Sequence, residues 1–168
     1  VAYVMMSYRI AWFKVYYPVP FYAAYFTTKV ADFNSEVVLK GSGAILARID
    51  EILAKGKNAT KKEEDEMTVL EVAYEMYSRG YEFEPINFGV SDGTKFYEHE
   101  GRVLLPFMAV SGIGETAAKA LADECRIRPF ETIEELKSRT RISNSNIESL
   151  KAMGVLEGMP ETDQLSMF

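Results

Sequence analysis

The stretch VSGIGETAAKALADECR, residues 110–126, constrains the chain more tightly than any other. Gly112 and Gly114 flank Ile113 and open directly into a run without a helix breaker, so a tight turn must feed a helix there. Glycine accepts positive φ and lets a ligand approach the backbone, and the first N–H groups of the following helix have no internal partner. Such a turn suits an anion. A Rossmann loop would need a preceding buried strand and three glycines, and a P-loop would need Gly-Lys-Ser/Thr. Neither pattern is present.

Helical period dominates on both sides of this turn. Tyr3, Met6, Ile10, Phe13 and Tyr17 recur at spacings of three and four, which predicts one apolar helical face ended by Pro18 and Pro20. Further helices are predicted over 21–30 and over 36–54, the latter with Asn34 or Ser35 as N-cap. Thr60 and Glu63 have the spacing of a capping box and start a helix over 61–79, with Met67, Leu70, Tyr74 and Tyr77 inward and Gly80 as its stop. Residues 81–107 alternate apolar and polar, with turns expected at Asp92-Gly93 and Glu100-Gly101, and read as short strands of a small sheet. Four short helical pieces follow over 105–156, and EGMPETDQLSMF at the end has no period and is expected to be a flexible tail without packing. The fold class is mainly α with a small β element, α+β.

Charge narrows the chemistry. The net charge of -6 argues against a nucleic-acid partner, but residues 41–100 alone carry -6, while residues 101–151 carry +1, so the acidity is segregated from the glycine turn. One cysteine and one histidine allow neither an intrachain disulfide nor a Cys/His zinc cluster, and a reducing, cytoplasmic setting fits. Cys125 reads as a small helix filler and His99 as a solvated turn residue. The acids at 63–66 point in different directions on a helix and read as a solvated helix start, not a metal site. Charged residues break every apolar run well before the roughly 20 residues of a membrane helix, so a soluble chain with no membrane partner is expected. With Val at position 1 and no leader-like pattern, the chain is expected to be a piece that begins inside a helix.

FMAVSGIGETAAKAL resembles the helix-hairpin-helix motif, in which hydrophobic-x-Gly-Ile/Val-Gly precedes a helix with alanine near its start. The resemblance implies that the N–H groups around Gly112, Ile113, Gly114 and Thr116 face one DNA phosphate, with Lys119 near the DNA backbone. TIEELKSRTRISNSNIESLKAMGVL, with a capping-box pattern at Thr132 and Glu135, a polar turn at Ser143–Ser145 and a stop at Gly154, resembles the degenerate second half of a paired motif. Ser143 is either part of that DNA-facing second hairpin or a simple N-cap.

The N-terminal segment AYVMMSYRIAWFKVYYPVPFYAAYFT is similar to the fingers of alpha subunits of bacterial replicative DNA polymerase III, on Ala2, Tyr3, Arg9, Phe13, Lys14, Pro18, Tyr22, Ala23, Ala24 and Tyr25. RGYEFEPINF and the hairpins extend the resemblance to the PolC type over essentially the whole chain. The DnaE branch has an OB-fold after the hairpins, whereas here QLSMF closes the sequence and resembles the sliding-clamp motif Gln-Leu-x-Leu-Phe. By this resemblance residues 1–101 are the C-terminal part of the fingers, 102–156 a tandem helix-hairpin-helix region and 157–168 a clamp-binding tail. Tyr3 is implied near the base or sugar of an incoming deoxynucleoside triphosphate, with packing as the open alternative, and Arg9 and Lys14 near its triphosphate or the template. Gln164, Leu165, Met167 and Phe168 are implied to enter a groove of the sliding clamp. Duplex DNA, the nucleotide, the clamp and other replisome subunits are the implied partners, in the cytoplasm at the nucleoid. The catalytic aspartates and their Mg2+ belong to a palm that the resemblance places before residue 1, so no catalytic residue and no cofactor is expected in this chain and it is not active alone. A non-catalytic helix-hairpin-helix module of a repair protein, or an interaction domain whose hairpins are scaffold only, remain open on the residues themselves.

Overall fold

The computed structural model describes residues 1–140 and 142–162. Helix α1 (Ala2–Tyr16) buries none of its residues, and Tyr3 is 91% exposed. The single apolar face read from the spacing is therefore corrected. Val4, Met5, Tyr8, Trp12 and Val15 make the helix apolar all round, so three-and-four spacing selects no unique face. Only its last turn is tied down: Lys14 pairs with Glu75 at 2.9 Å, Arg79 Nη2 donates to the Lys14 carbonyl at 3.4 Å, and the Phe13 and Phe21 rings meet edge-on.

Pro18 does not merely end this helix; it begins α2 (Pro18–Thr28) at its first position, where a missing N–H costs nothing. Val19, Tyr22, Ala23 and Phe26 of α2 enter the core. The expected helix over 36–54 is two helices, α3 (Ser35–Val38) and α4 (Ser42–Lys55), divided at Gly41 with φ 91°. Asn34 caps α3, its side chain accepting from the Val37 N–H. The capping box of Thr60 and Glu63 is formed and starts α5 (Lys61–Ser78), whose centre faces inward through Glu66, Val69, Leu70, Ala73 and Met76. Met67, Tyr74 and Tyr77 flank that face half-buried, because the small Val69 and Ala73 let α5 approach its neighbours closely.

The acids at 63–66 are not merely solvated. Glu63 accepts from Lys55 at 2.5 Å and from the Thr60 N–H, and the buried Glu66 takes Arg48 at 3.1 and 2.9 Å and the Asn34 amide at 2.8 Å. Burial pushes the Glu66 carboxyl up, but the bonds from Arg48 and Asn34 outweigh it and hold it below the usual carboxylate range.

Strands β1 (Phe83–Glu84), β2 (Tyr97–His99) and β3 (Arg102–Leu104) form a sheet of order β1-β3-β2, parallel between β1 and β3 with Phe83 opposite Val103, antiparallel between β2 and β3 with His99 opposite Arg102. The turn at Glu100-Gly101 has φ 48° and 78°, as the hairpin requires. His99 is not a turn residue but the end of β2, where its Nδ1 lies 2.8 Å from Glu84, a partner that raises its pKa. Asp92 closes its own turn by accepting from the Thr94 and Lys95 N–H groups.

The C-terminal helices are α6 (Glu115–Ile127), α7 (Ile133–Thr140) and α8 (Asn144–Ala152), after a single turn of 3-10 helix at Phe107–Ala109. One continuous core joins the Phe26, Phe33, Phe83 and Phe96 rings to Phe107, Leu121, Leu136, Ile147 and Leu156. Cys125 is buried within it, and burial pushes its thiol up to about 11, as suits a filler. Residues 157–161 are not free of contacts, which corrects the expectation for EGMPETD. Ile133 N–H donates to the Pro160 carbonyl and Glu134 N–H to the Glu161 carbonyl, both at 3.0 Å, while Lys151 pairs with Glu161. Carbonyls of the tail thus satisfy orphan N–H groups of α7, a need that carries no periodic signal. Gln164, Leu165, Met167 and Phe168 lie outside the described residues.

Candidate nucleic-acid interface

The glycine turn is pinned from below and open above. Ile113 is 5% exposed and anchors the turn in the core, and its N–H donates to the Val110 carbonyl at 3.1 Å. Ser111, Gly112, Gly114, Glu115, Thr116 and Ala117 are exposed. Gly114 is the N-cap of α6 and no side chain caps that end, so the first-turn N–H groups, including that of Thr116, are available to an external acceptor. The fold makes different demands at the two glycines. Gly112 has φ 83°, which disfavours any side chain, whereas Gly114 has φ -76° and a Cβ there would meet nothing within 4 Å. The fold needs glycine at 112 and does not need it at 114.

The second hairpin faces the first. Ser143 caps α8, its hydroxyl accepting from the Asn146 N–H at 3.2 Å. Asn146, 7% exposed, reaches across and donates from Nδ2 to the Ser111 carbonyl at 3.3 Å. The Thr132 capping pattern is only half formed. Thr132 accepts from the Glu135 N–H, but the Glu135 carboxylate turns to the Glu131 N–H, Arg128 and Arg139. Arg139 in turn donates to the Glu124 and Arg128 carbonyls and lies 4.5 Å from the Phe130 ring centroid, which sets α7 against the end of α6. Asn146 and Arg139 went unseen in the sequence because a polar residue in a short helix looks solvated there.

Several basic side chains around the turn are already paired. Lys119 bonds Glu115 at 2.6 Å, Arg126 lies 3.4 Å from both Asp92 and Asp123, Arg128 pairs with Glu135, and Lys151 with Glu148 and Glu161. A cleft of about 540 Å3 between residues 30–36 and 110–113 is lined by Asp32, Glu36, Glu63 and Glu66 against Arg48 and Lys62, so the wall facing the turn is predominantly acidic. Among the described residues the turn itself therefore offers an anion backbone N–H groups, with the cations nearest to it already paired.

The residues expected near a nucleotide lie on α1. Tyr3 and Arg9 are exposed, and Lys14 is held between Glu75 and the Phe21 and Tyr22 rings. Among the described residues no group of three or more His, Cys, Asp or Glu side chains is placed to hold a metal ion, and no helix is long and apolar enough to cross a membrane.

An uncapped helix start behind a Gly-x-Gly turn, packed on a second, glycine-free hairpin whose helix is capped by Ser143, defines a class, and residues 80–165 match the helix-hairpin-helix motif family; the chain belongs to that family. Over its whole length it is 51% identical to the DNA polymerase III PolC-type of Caldanaerobacter subterraneus subsp. tengcongensis, and 43% identical over 169 residues to that of Thermotoga maritima. The PolC-type polymerase of Bacillus subtilis is 40% identical over 167 residues, 99% of this chain. The chain spans 12% of the length of each of these relatives. The likeness to PolC-type polymerases read from the sequence is borne out.

Proposed function

We propose that this chain is part of a replicative DNA-directed DNA polymerase of PolC type, in which the glycine turn grips the backbone of the primer-template duplex without reading sequence. The observation that carries this reading is the exposed Gly112–Thr116 turn with the uncapped start of α6, in a chain similar to such polymerases from end to end. Gly112, Gly114 and Thr116 N–H groups would share one phosphate, Ile113 would hold the turn, and Lys119 would exchange Glu115 for a neighbouring phosphate. Ser143 would place the second hairpin alongside. Residues 1–101 would belong to the fingers, 102–156 to the paired hairpins and 157–168 to a tail whose Gln164, Leu165, Met167 and Phe168 bind the sliding clamp. Polymerisation itself, with Mg2+ and its aspartates, would reside in the palm, outside this chain, in a cytoplasmic assembly with other replisome subunits.

The paired state of the basic side chains gives a quantitative test. Backbone amides carry no charge and release no counterions, so the salt dependence comes from the few cations that join them, Lys119 first; with one to three phosphates neutralised, log affinity against log salt is expected to fall with a slope of about -1 to -3. Anisotropy titrations of a duplex of random sequence between low and moderate salt measure it. A slope near zero removes Lys119 and the other cations from the contact, absence of duplex binding removes the phosphate contact itself, and a slope near -8 assigns binding to side-chain cations instead.

On α1 the exposed Arg9 is the free cation of the proposed nucleotide contact, with Tyr3 beside the base or sugar; Lys14 would have to leave Glu75 to join it. Arg9→Ala in the complete polymerase is expected to lower kcat/KM for each nucleotide about tenfold, the cost of one charge-assisted bond of roughly 1.5 kcal/mol, with no change in melting temperature. Steady-state kinetics with all four nucleotides decide it, and unchanged values assign Arg9 to the surface.

A further inference from the structure

In a trans peptide the carbonyl and the following N–H point in opposite directions. The Ser111–Gly112 peptide is trans, and its carbonyl accepts from the buried Nδ2 of Asn146 on the second hairpin. Its N–H must therefore point away from Asn146, out of the exposed face of the turn. Which end of the Asn146 amide faces Ser111 is fixed by the acceptor: a carbonyl takes only a donor, so Nδ2 faces Ser111, and the Ser143 hydroxyl, which also accepts from the Asn146 N–H, donates to Oδ1. The fit is close, since a Cβ on Gly112 would come within 3.1 Å of Nδ2. A peptide between two residues, one of them a glycine at positive φ, is otherwise the easiest in a chain to flip.

We propose that Asn146 is the positioning residue of the phosphate-binding turn: by holding the Ser111 carbonyl from inside it aims the Gly112 N–H at the phosphate. This rests on the duplex-backbone reading above. It gives the second hairpin, which lacks glycines of its own, a part in the first hairpin's contact, and it couples the two into one binding unit. The ligand class is a phosphodiester, and Asn146 never touches it.

The test uses the full chain, a DNA duplex of random sequence and two readouts: affinity by anisotropy and the amide resonances of selectively labelled glycines. Asn146→Leu keeps the volume and removes the donor, and Asn146→Ala removes it with less steric demand. Each folded variant is expected to bind about five- to tenfold more weakly with an unchanged salt slope, because no charge is lost. The Gly112 amide resonance, shifted by duplex in the wild type, is expected to stay put in the variants while that of Gly114 still moves. A folded variant that binds like the wild type with a normal Gly112 shift overturns the assignment. So does unfolding of both variants, which makes Asn146 purely structural. A wild-type chain that fails to bind duplex at all fells the underlying reading first, and that arm is read separately.

Discussion

Gly114→Val is expected to leave the melting temperature of the chain essentially unchanged and to lower its affinity for duplex DNA a hundredfold or more. The first half follows from the free structure, in which the Gly114 backbone is extended, φ -76° and ψ 165°, and a Cβ has open space around it. The second half follows from what the added isopropyl group would cover. It would stand over the start of α6, between the first-turn N–H groups and any phosphate, so two or more charge-assisted hydrogen bonds worth roughly 1.5–3 kcal/mol each would be lost together. Gly112→Val is the internal control. It is expected to destabilise the fold as well, by roughly 1–3 kcal/mol, because a branched residue is forced to φ 83° against Asn146. Thermal melts and duplex titrations on the two variants separate a turn that must be glycine to fold from one that must be glycine to bind. If Gly114→Val binds normally, no ligand approaches that backbone.

Replacing Gln164, Leu165 and Phe168 together by alanine is expected to abolish clamp-stimulated processivity of the complete polymerase, with distributive synthesis on short primers nearly unchanged. The docking of residues 160 and 161 on α7 alters the mechanics of that tether. A tail free from residue 157 would let the motif search about 15 Å. With the Pro160 and Glu161 carbonyls bonded to Ile133 and Glu134, Gln164 stands three residues beyond a fixed point, at most about 11 Å away. The clamp would then sit in near register with the hairpins, and the effective concentration of the second contact would be high although the isolated peptide binds at micromolar strength or weaker. Calorimetry of the tail peptide with purified clamp, alongside primer-extension lengths, is the measurement. Clamp stimulation that survives the triple variant refutes the tether.

What could be read in advance divides along physical lines. The Thr60–Glu63 capping box, the Glu100-Gly101 turn and the glycine turn before α6 are local, each dictated by residues a few positions apart, and the chain carries them in plain view. Proline was harder, since Pro18 both stops one helix and starts the next, and only the three-dimensional path shows which use prevails. Gly41 splits a helix that periodicity ran straight through, because apolar spacing says nothing about a single positive φ. α1 defeated the reading most completely: a segment apolar on every side gives a period to any template laid on it. In the candidate site, the glycines and Ser143 were visible, while Asn146, the pairing of Lys119 with Glu115 and the anchored tail depend on partners 4 to 35 residues away or on backbone groups that have no letter in the sequence.

Gly93 lies directly beneath α6, where a Cβ would strike the Lys119 Cα at 2.9 Å, and the Asp92 and Gly93 carbonyls accept from the Phe107 and Met108 N–H groups at 3.0 and 2.9 Å. Main chain therefore rests on main chain, with no rotamer between them to give way. A push of α6 toward the loop meets main chain directly, and the loop's two hydrogen bonds hand that displacement to the segment that follows β3. α6 therefore has little room to settle toward the loop, and a load pressing it inward would move the body of the protein rather than a side chain.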